Sequence, residues 1–273
     1  MELGKRRRLD RILNPQDHRT VIVPLDHGMT VGPIQGIRDI DGTVAELSLG
    51  GADAVIMHKG LARSVESCGG VSRTALIVHL SASTSLAPGG NTKGIVGTVE
   101  EALRLDADAV SIHVNIGDDN ERQMLEDAGR IADDCDRWGM PLLMMLYARG
   151  PHIKDSFAPE MVAHCARVGA ELGADLVKVS YTGRADTFAH VVRSCGVPVL
   201  IAGGERMDST ADILQMVHDA LSAGAAGLSI GRNVFQHPQR RDLVAALRAM
   251  VHNNLGVDEA LNLLASHPVS MAA

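Results

Sequence analysis

The chain holds 273 residues, 45% hydrophobic and 22% charged, with a formal net charge of -7; this balance excludes bulk disorder, and the length suits one α/β barrel of about 250 residues or two smaller domains. Aromatic residues make up only 2%, and Trp138, Tyr147, Tyr181, Phe157, Phe188 and Phe235 are the whole inventory, so the core must be aliphatic. Few bases could be stacked and the charge is negative, which argues against nucleic-acid binding, and no apolar run approaches the roughly 18 residues of a membrane span.

The N-terminus, Met1 to Asp10, lacks the apolar segment and cleavage site of a signal peptide and reads as that of a cytoplasmic chain. Leu3, Leu9, Ile12 and Leu13 recur at helical spacing, predicting a short helix on which the basic run Lys5 to Arg8 forms a solvated face. Eight apolar runs follow: Val21 to Leu25, Ala54 to Met57, Ala75 to Val78, Ala109 to Ile112, Leu142 to Leu146, Leu176 to Val179, Val199 to Ala202 and Gly227 to Ile230. Continuous apolar strands are buried on both faces, as parallel sheets require, and the intervals between them leave room for crossover helices. Helices are predicted over 119–138, 159–172 and 210–222, with closing helices over 238–250 and 257–265. A phrase of the type Gly-Ala-Asp recurs before strands, at 50–55, 106–110, 173–177 and, without the acid, 224–228, marking a helix stop and a tight turn into the next strand. Cys68, Cys135, Cys165 and Cys195 lie far apart with no C-x-x-C pair, which fits reduced thiols. The whole reads as one (β/α)8 barrel over residues 1–273, with a doubly wound open sheet as the competing topology. Residues 81–98, with Gly89-Gly-Asn-Thr-Lys93, form the longest loop and a candidate active-site loop.

Barrels place chemistry at the C-terminal ends of their strands. Those ends carry Asp26-His27-Gly28, His58-Lys59, His79, His113 with Asn115, Tyr147, Lys178, Gly203-Gly204 and Gly231-Arg232. Lys178 is the sharpest signal, because a lysine inside an apolar strand is costly as an isolated cation. A desolvated amine suits Schiff-base formation with a ketone; the structural alternative is an ion pair with a carboxylate such as Asp26. Tyr147 could move a proton, and Asp26 could handle the carbinolamine proton or orient Lys178. Gly203, Gly204, Gly231 and Arg232 together read as a phosphate cradle at the usual place in such barrels. His27, His58, His79 and His113 could be imagined as metal ligands, but none share an H-x-H or H-x-x-x-H spacing, and hydrogen bonding at the rim is the plainer role.

Val23-Pro-Leu-Asp-His-Gly28, His79-Leu-Ser-Ala-Ser-Thr84, Gly97-Thr-Val-Glu-Glu-Ala102, Ala109 to His113, Lys178 with the following Tyr-Thr-Gly183, Ala202-Gly-Gly204 and Gly231-Arg-Asn233 resemble the archaeal-type class I aldolases from about residue 5 to residue 255. Ser81 to Ser85 and the Gly89 to Lys93 loop resemble the heptulosonate-forming branch, which joins a phosphorylated ketose to L-aspartate 4-semialdehyde on the way to aromatic amino acids or aminohydroxybenzoates; the sibling reading is fructose-1,6-bisphosphate aldolase. The resemblance implies Lys178 as the Schiff-base lysine, Tyr147 as the proton-transfer residue, Asp26 as the third catalytic group and phosphate held by Gly203, Gly204, Gly231 and Arg232, with His27 and His113 as further substrate contacts. It also implies no metal, no cofactor beyond the covalent lysine adduct, and a homo-oligomer such as a decamer. Lys59, Arg149, His152 and Lys154 are available for an amino-acid head group. A metal-dependent lyase and a non-catalytic phosphosugar-binding barrel are the competing functional readings.

Overall fold

Apolar runs that bury both faces satisfy their backbone only by pairing side by side, and here they close on themselves. In the computed structural model, which describes residues 2–65, 74–88 and 90–266, the strands are β1 (Thr20–Pro24), β2 (Ala54–His58), β3 (Ala75–His79), β4 (Ser81–Ala82), β5 (Gly94–Ile95), β6 (Ala109–Ile116), β7 (Leu142–Ala148), β8 (Leu176–Ser180), β9 (Val199–Ala202) and β10 (Gly227–Ser229). All but β4 and β5 form a closed parallel barrel in the order β1-β10-β9-β8-β7-β6-β3-β2. This is the expected (β/α)8 barrel, not the open sheet. Cys68, Gly89 and residues 267–273 of the sequence reading lie outside the described residues.

Helices α1 (Leu3–Ile12), α2 (His27–Val31), α3 (Ile40–Gly50), α4 (Lys59–Ala62), α5 (Val99–Arg104), α6 (Glu121–Trp138), α7 (Pro159–Glu171), α8 (Ala185–Cys195), α9 (Thr210–Ser222), α10 (Arg232–Phe235), α11 (Arg240–Asn253) and α12 (Val257–Ala265) complete the chain. Strand alternation divides the apolar residues into two layers. Ile22, Ile56, Ile77, Leu143, Met145, Leu176 and Leu200 fill the barrel, and Ile12 and Leu13 at the end of α1 close it from below. Val21, Val55, Val78, Val110, Met144 and Val177 face outward and pack with the helices.

The recurring acid has a defined job at the lower rim. Asp53, Asp108 and Asp175 each precede a strand, and their carboxylates accept the N–H of Val21 (2.7 Å), Leu76 (3.2 Å) and Leu142 (2.8 Å) on the adjacent strand. Their own N–H groups donate to the carbonyls of those same residues at 2.9, 2.8 and 2.9 Å, so each acid clamps its neighbour at two points. A cation completes each clamp: Arg248 on Asp53 (2.6 Å), Arg11 on Asp108 (2.5 Å) and Lys5 on Asp175 (3.0 Å). The basic run is therefore not uniformly solvated: Lys5 is buried and paired while Arg6 and Arg7 are exposed.

Two further differences concern the upper rim. β6 and β7 run on past their apolar stretches and stay paired through Asn115 with Tyr147 and Ile116 with Ala148; the buried Asn115 is tolerated there because its amide is matched by His113 and the Asn91 carbonyl. The expected loop over 81–98 contains the antiparallel pair β4 and β5, with Ser81 opposite Ile95.

Candidate active site

The period of two along β8 sends Leu176 and Lys178 into the barrel, with Val177 and Val179 outward. Lys178 is 6% exposed and lies in register with Met145 of β7 and Leu200 of β9. Among the described residues it makes neither an ion pair nor a hydrogen bond, and the oxygens of Asp26 face histidines instead. The paired, purely structural lysine is thus not what the barrel contains.

Asp26 leaves the end of β1, with Oδ1 3.4 Å from His27 Nδ1 and Oδ2 3.7 Å from His79 Nε2. Burial alone would raise its pKa, but His79, His27, Lys178 and His58 outweigh that and hold it at about 2. Asp26 is therefore a carboxylate at neutral pH. Burial pushes His79 down to about 4 against the pull of Asp26, so its imidazole is neutral, and Nδ1 meets the Ser111 hydroxyl at 2.8 Å. The His58 ring packs edge-on against it at 5.2 Å.

On β7, Tyr147 is half-buried beside His113 of β6, with ring centroids 5.0 Å apart, and the Arg149 guanidinium lies over its ring at 4.5 Å. Burial, followed by the charges of Lys93 and Arg149, lowers the His113 pKa well below its ordinary value; its Nε2 meets Asn115 Oδ1 at 2.8 Å.

Gly203 and Gly204 after β9 and Gly231 after β10 form the other side of the mouth. Gly204 takes a φ of +64°, and a Cβ on Gly231 would stand 2.5 Å from the His27 ring, so close approach here needs glycine. Among the described residues the N–H groups of Gly203, Gly204 and Gly231 donate to no carbonyl. Arg232 bridges the two turns through Nη2 to the Gly204 carbonyl at 3.0 Å, while its buried Nε has no partner. Unmatched donors of this kind favour an anion.

The structure therefore brings Lys178, Tyr147, Asp26, His27 and His113 together at one mouth, with the four cradle residues on its rim. Of the further cations, Lys59 is tied to Glu101 at 2.8 Å, His152 and Lys154 are exposed, and only Arg149 contacts a mouth residue. Sequence reasoning missed Ser111, whose hydroxyl orients His79, and Asn233, whose amide holds the carbonyls of Gly203 (2.8 Å) and Glu205 (3.0 Å). It places Lys93 in a candidate active-site loop without a role of its own. Polarity inside or just after an apolar run was the available signal for the first two. Among the described residues, no group of three His, Cys, Asp or Glu side chains is placed to hold a metal ion, and no helix is long and apolar enough to cross a membrane.

Residues 20–237 match the family model for DeoC/LacD family aldolases. The 2-amino-3,7-dideoxy-D-threo-hept-6-ulosonate synthase 1 of Archaeoglobus fulgidus is 48% identical over 261 residues, covering 95% of each chain. The 2-amino-4,5-dihydroxy-6-oxo-7-(phosphonooxy)heptanoate synthase of Streptomyces griseus is 45% identical over 247 residues, covering 90% of each. A solved Schiff-base-forming fructose-1,6-bisphosphate aldolase superposes with a TM-score of 0.85 at 32% identity, covering 91% of this chain and 100% of its own. With a family match spanning the barrel and relatives of near full length, the chain belongs to the DeoC/LacD family of aldolases and is a class I aldolase, a lyase of the Schiff-base kind.

Proposed function

We propose that this aldolase joins a phosphorylated ketose donor to L-aspartate 4-semialdehyde, using Lys178 as the Schiff-base lysine, Tyr147 for proton transfer and Asp26 as the third catalytic group, with no metal. The observation that carries the reading is an interior lysine without a partner, near a carboxylate and on the strand next to a turn rich in free N–H groups. The donor's phosphate would rest on Gly203, Gly204, Gly231 and Arg232, directing its ketone toward Lys178.

The free amine of Lys178 adds to the ketone, and the carbinolamine hydroxyl takes the proton of the Tyr147 hydroxyl and leaves as water, giving an iminium and a phenolate. That cation draws electrons from the adjacent carbon, whose proton passes to the Tyr147 phenolate. The resulting enamine carbon attacks the aldehyde carbon, the aldehyde oxygen takes the proton back from Tyr147, and water adds to the product iminium, returns a proton to the Tyr147 oxygen and releases the product and the free amine. One water leaves and one returns, and no proton is gained. A carboxylate held at about 2 is no proton donor at neutral pH; Asp26 instead stabilises the iminium and accepts hydrogen bonds from donor hydroxyls. His113 supports the Tyr147 ring and His27 fills the space between Asp26 and Gly231.

The relatives' names favour this acceptor. Cutting the Streptomyces griseus product between the two hydroxyl-bearing carbons gives a four-carbon amino-acid aldehyde and a phosphorylated dihydroxyketone, whereas the Archaeoglobus fulgidus product has the same amino-acid end and a deoxy ketone end. The donor is thus dihydroxyacetone phosphate, or a deoxy-ketohexose phosphate whose C–C bond breaks on the lysine to release a three-carbon phosphorylated aldehyde before the acceptor adds, in a transaldolase-like exchange, and the product would serve aromatic or aminohydroxybenzoate synthesis. The second reading, fructose-1,6-bisphosphate aldolase, is favoured by the solved relative.

A matrix of dihydroxyacetone phosphate, deoxy-ketohexose phosphate and fructose bisphosphate against aspartate semialdehyde and glyceraldehyde 3-phosphate, read by mass spectrometry, tests the choice. A seven-carbon amino product is expected from aspartate semialdehyde. Fructose bisphosphate cleaved at a comparable rate would overturn it.

A further inference from the structure

The cradle accounts for one side of the mouth, and the opposite side holds a cation with no assigned role. In the barrel order, β9 stands across from β3 and β10 across from β6. Lys93, just before β5 in the hairpin that follows β3, is therefore carried over the rim facing the glycine turns. Its side chain is half-buried, with Nζ 2.5 Å from Ser83 Oγ and 3.3 Å from the Gly90 carbonyl. The hairpin is fixed to the barrel wall, since Asn115 of β6 donates its amide to the Asn91 carbonyl and His113 N–H donates to Ser81 Oγ at 2.9 Å. Lys93 has no carboxylate partner among the described residues, whereas Lys59 on the same side of the barrel is neutralised by Glu101.

A neutral hydroxyl and a carbonyl leave the charge of an ammonium uncompensated. Burial and then the Arg149 charge lower the Lys93 pKa while Asp26 pulls it up, and Lys93 adds to the burial that lowers His79 and His113, which sets its Nζ within reach of the mouth. A second uncompensated cation, Arg149, lies over Tyr147 next to it. A donor anchored by phosphate on the β9 and β10 side and by imine at Lys178 presents its nucleophilic carbon to the β3 and β6 side, so the acceptor must enter from there.

We propose that Lys93, assisted by Arg149, is the acceptor-recognition site, binding an anionic oxygen group at the end of the aldehyde remote from the reacting carbon. This rests on the aldolase reading above. It gives one mouth two anion sites on opposite rims, one for the donor and one for the acceptor, and explains how a small aldehyde is held with its carbonyl over the enamine. The shared chemistry is an anionic terminus, a carboxylate in aspartate semialdehyde or a phosphate in glyceraldehyde 3-phosphate.

The test compares wild type, Lys93→Met and Lys93→Arg with aspartate semialdehyde, glyceraldehyde 3-phosphate and uncharged glyceraldehyde. In Lys93→Met, the preference in kcat/KM for the anionic acceptor over glyceraldehyde should fall about tenfold or more, chiefly through acceptor KM, and Lys93→Arg should restore most of it. Borohydride capture of donor on Lys178 should stay at the wild-type level in both, showing an intact barrel and donor site. An unchanged preference, or equal losses with charged and uncharged aldehydes, would overturn the assignment. Turnover of glyceraldehyde 3-phosphate alone by wild type would overturn the proposed acceptor yet leave Lys93 to be judged by the same ratio with that substrate. No turnover of either anionic aldehyde would overturn both.

Discussion

The two ends of the barrel treat charge in opposite ways. At the lower rim Lys5 lies between Asp136 (2.8 Å) and Asp175 (3.0 Å), and Arg248 and His252 share Asp53. At the upper rim Lys178, Lys93 and Arg149 have no carboxylate partner among the described residues, and Arg232 holds only a carbonyl. Paired charges with reciprocal hydrogen bonds fix strand ends, whereas unpaired cations around a carboxylate leave electrostatic potential available to a substrate. Charge alone does not distinguish structure from chemistry in this fold; the presence of a partner does.

The largest test of this contrast removes the unpaired interior amine. Lys178→Met should lose at least about a thousandfold in turnover and all borohydride-trapped donor adduct, while its thermal midpoint holds or rises; an active variant would break the contrast at its centre. Arg232→Met should raise donor KM by about tenfold or more with little change in acceptor KM, measured by varying each substrate in turn. At the other end, Lys5→Met leaves the buried carboxylate of Asp175 without its cation and should cost about 3 kcal/mol in urea unfolding, with donor capture unchanged.

The smallest effect is a slope with pH. Burial alone would lower the His252 pKa, but hydrogen bonds to Asp53 (2.9 Å) and Asp17 (2.7 Å) outweigh it and raise the value above the ordinary one. A raised pKa contributes stability that is fully present below the ordinary histidine value of about 6.5 and is lost as pH rises through the folded value. Melting curves between pH 6 and 9 should therefore fall more steeply for wild type than for His252→Gln; parallel slopes would remove His252 from the lower-rim network.

Much of this was legible along the chain. Eight apolar runs at crossover spacing gave the barrel, and Lys178 stood out because its strand is otherwise apolar. The same criterion placed strand ends too early at His58, His79, His113 and Tyr147, all of which lie within strands. Apolarity marks where a strand needs no polar partner, whereas the ladder continues through His79 and Asn115, which are buried with hydrogen bonds that only the folded chain supplies. Lys5 and its neighbours look alike in sequence, yet only the folded chain brings Asp136 and Asp175 to Lys5 and leaves Arg6 and Arg7 exposed.

The sequence by itself determined the period of each element, the aliphatic filling of the barrel and which strand ends carry polar groups, because these follow from local chemistry and spacing. Tertiary structure alone decided which charges have partners. Closure of the barrel set β3 and β6 opposite β9 and β10, brought Asp26 between His27 and His79 and left Lys178 unpaired. Partnership depends on distances between residues remote in the chain, and chain closure, not residue type, fixes those distances.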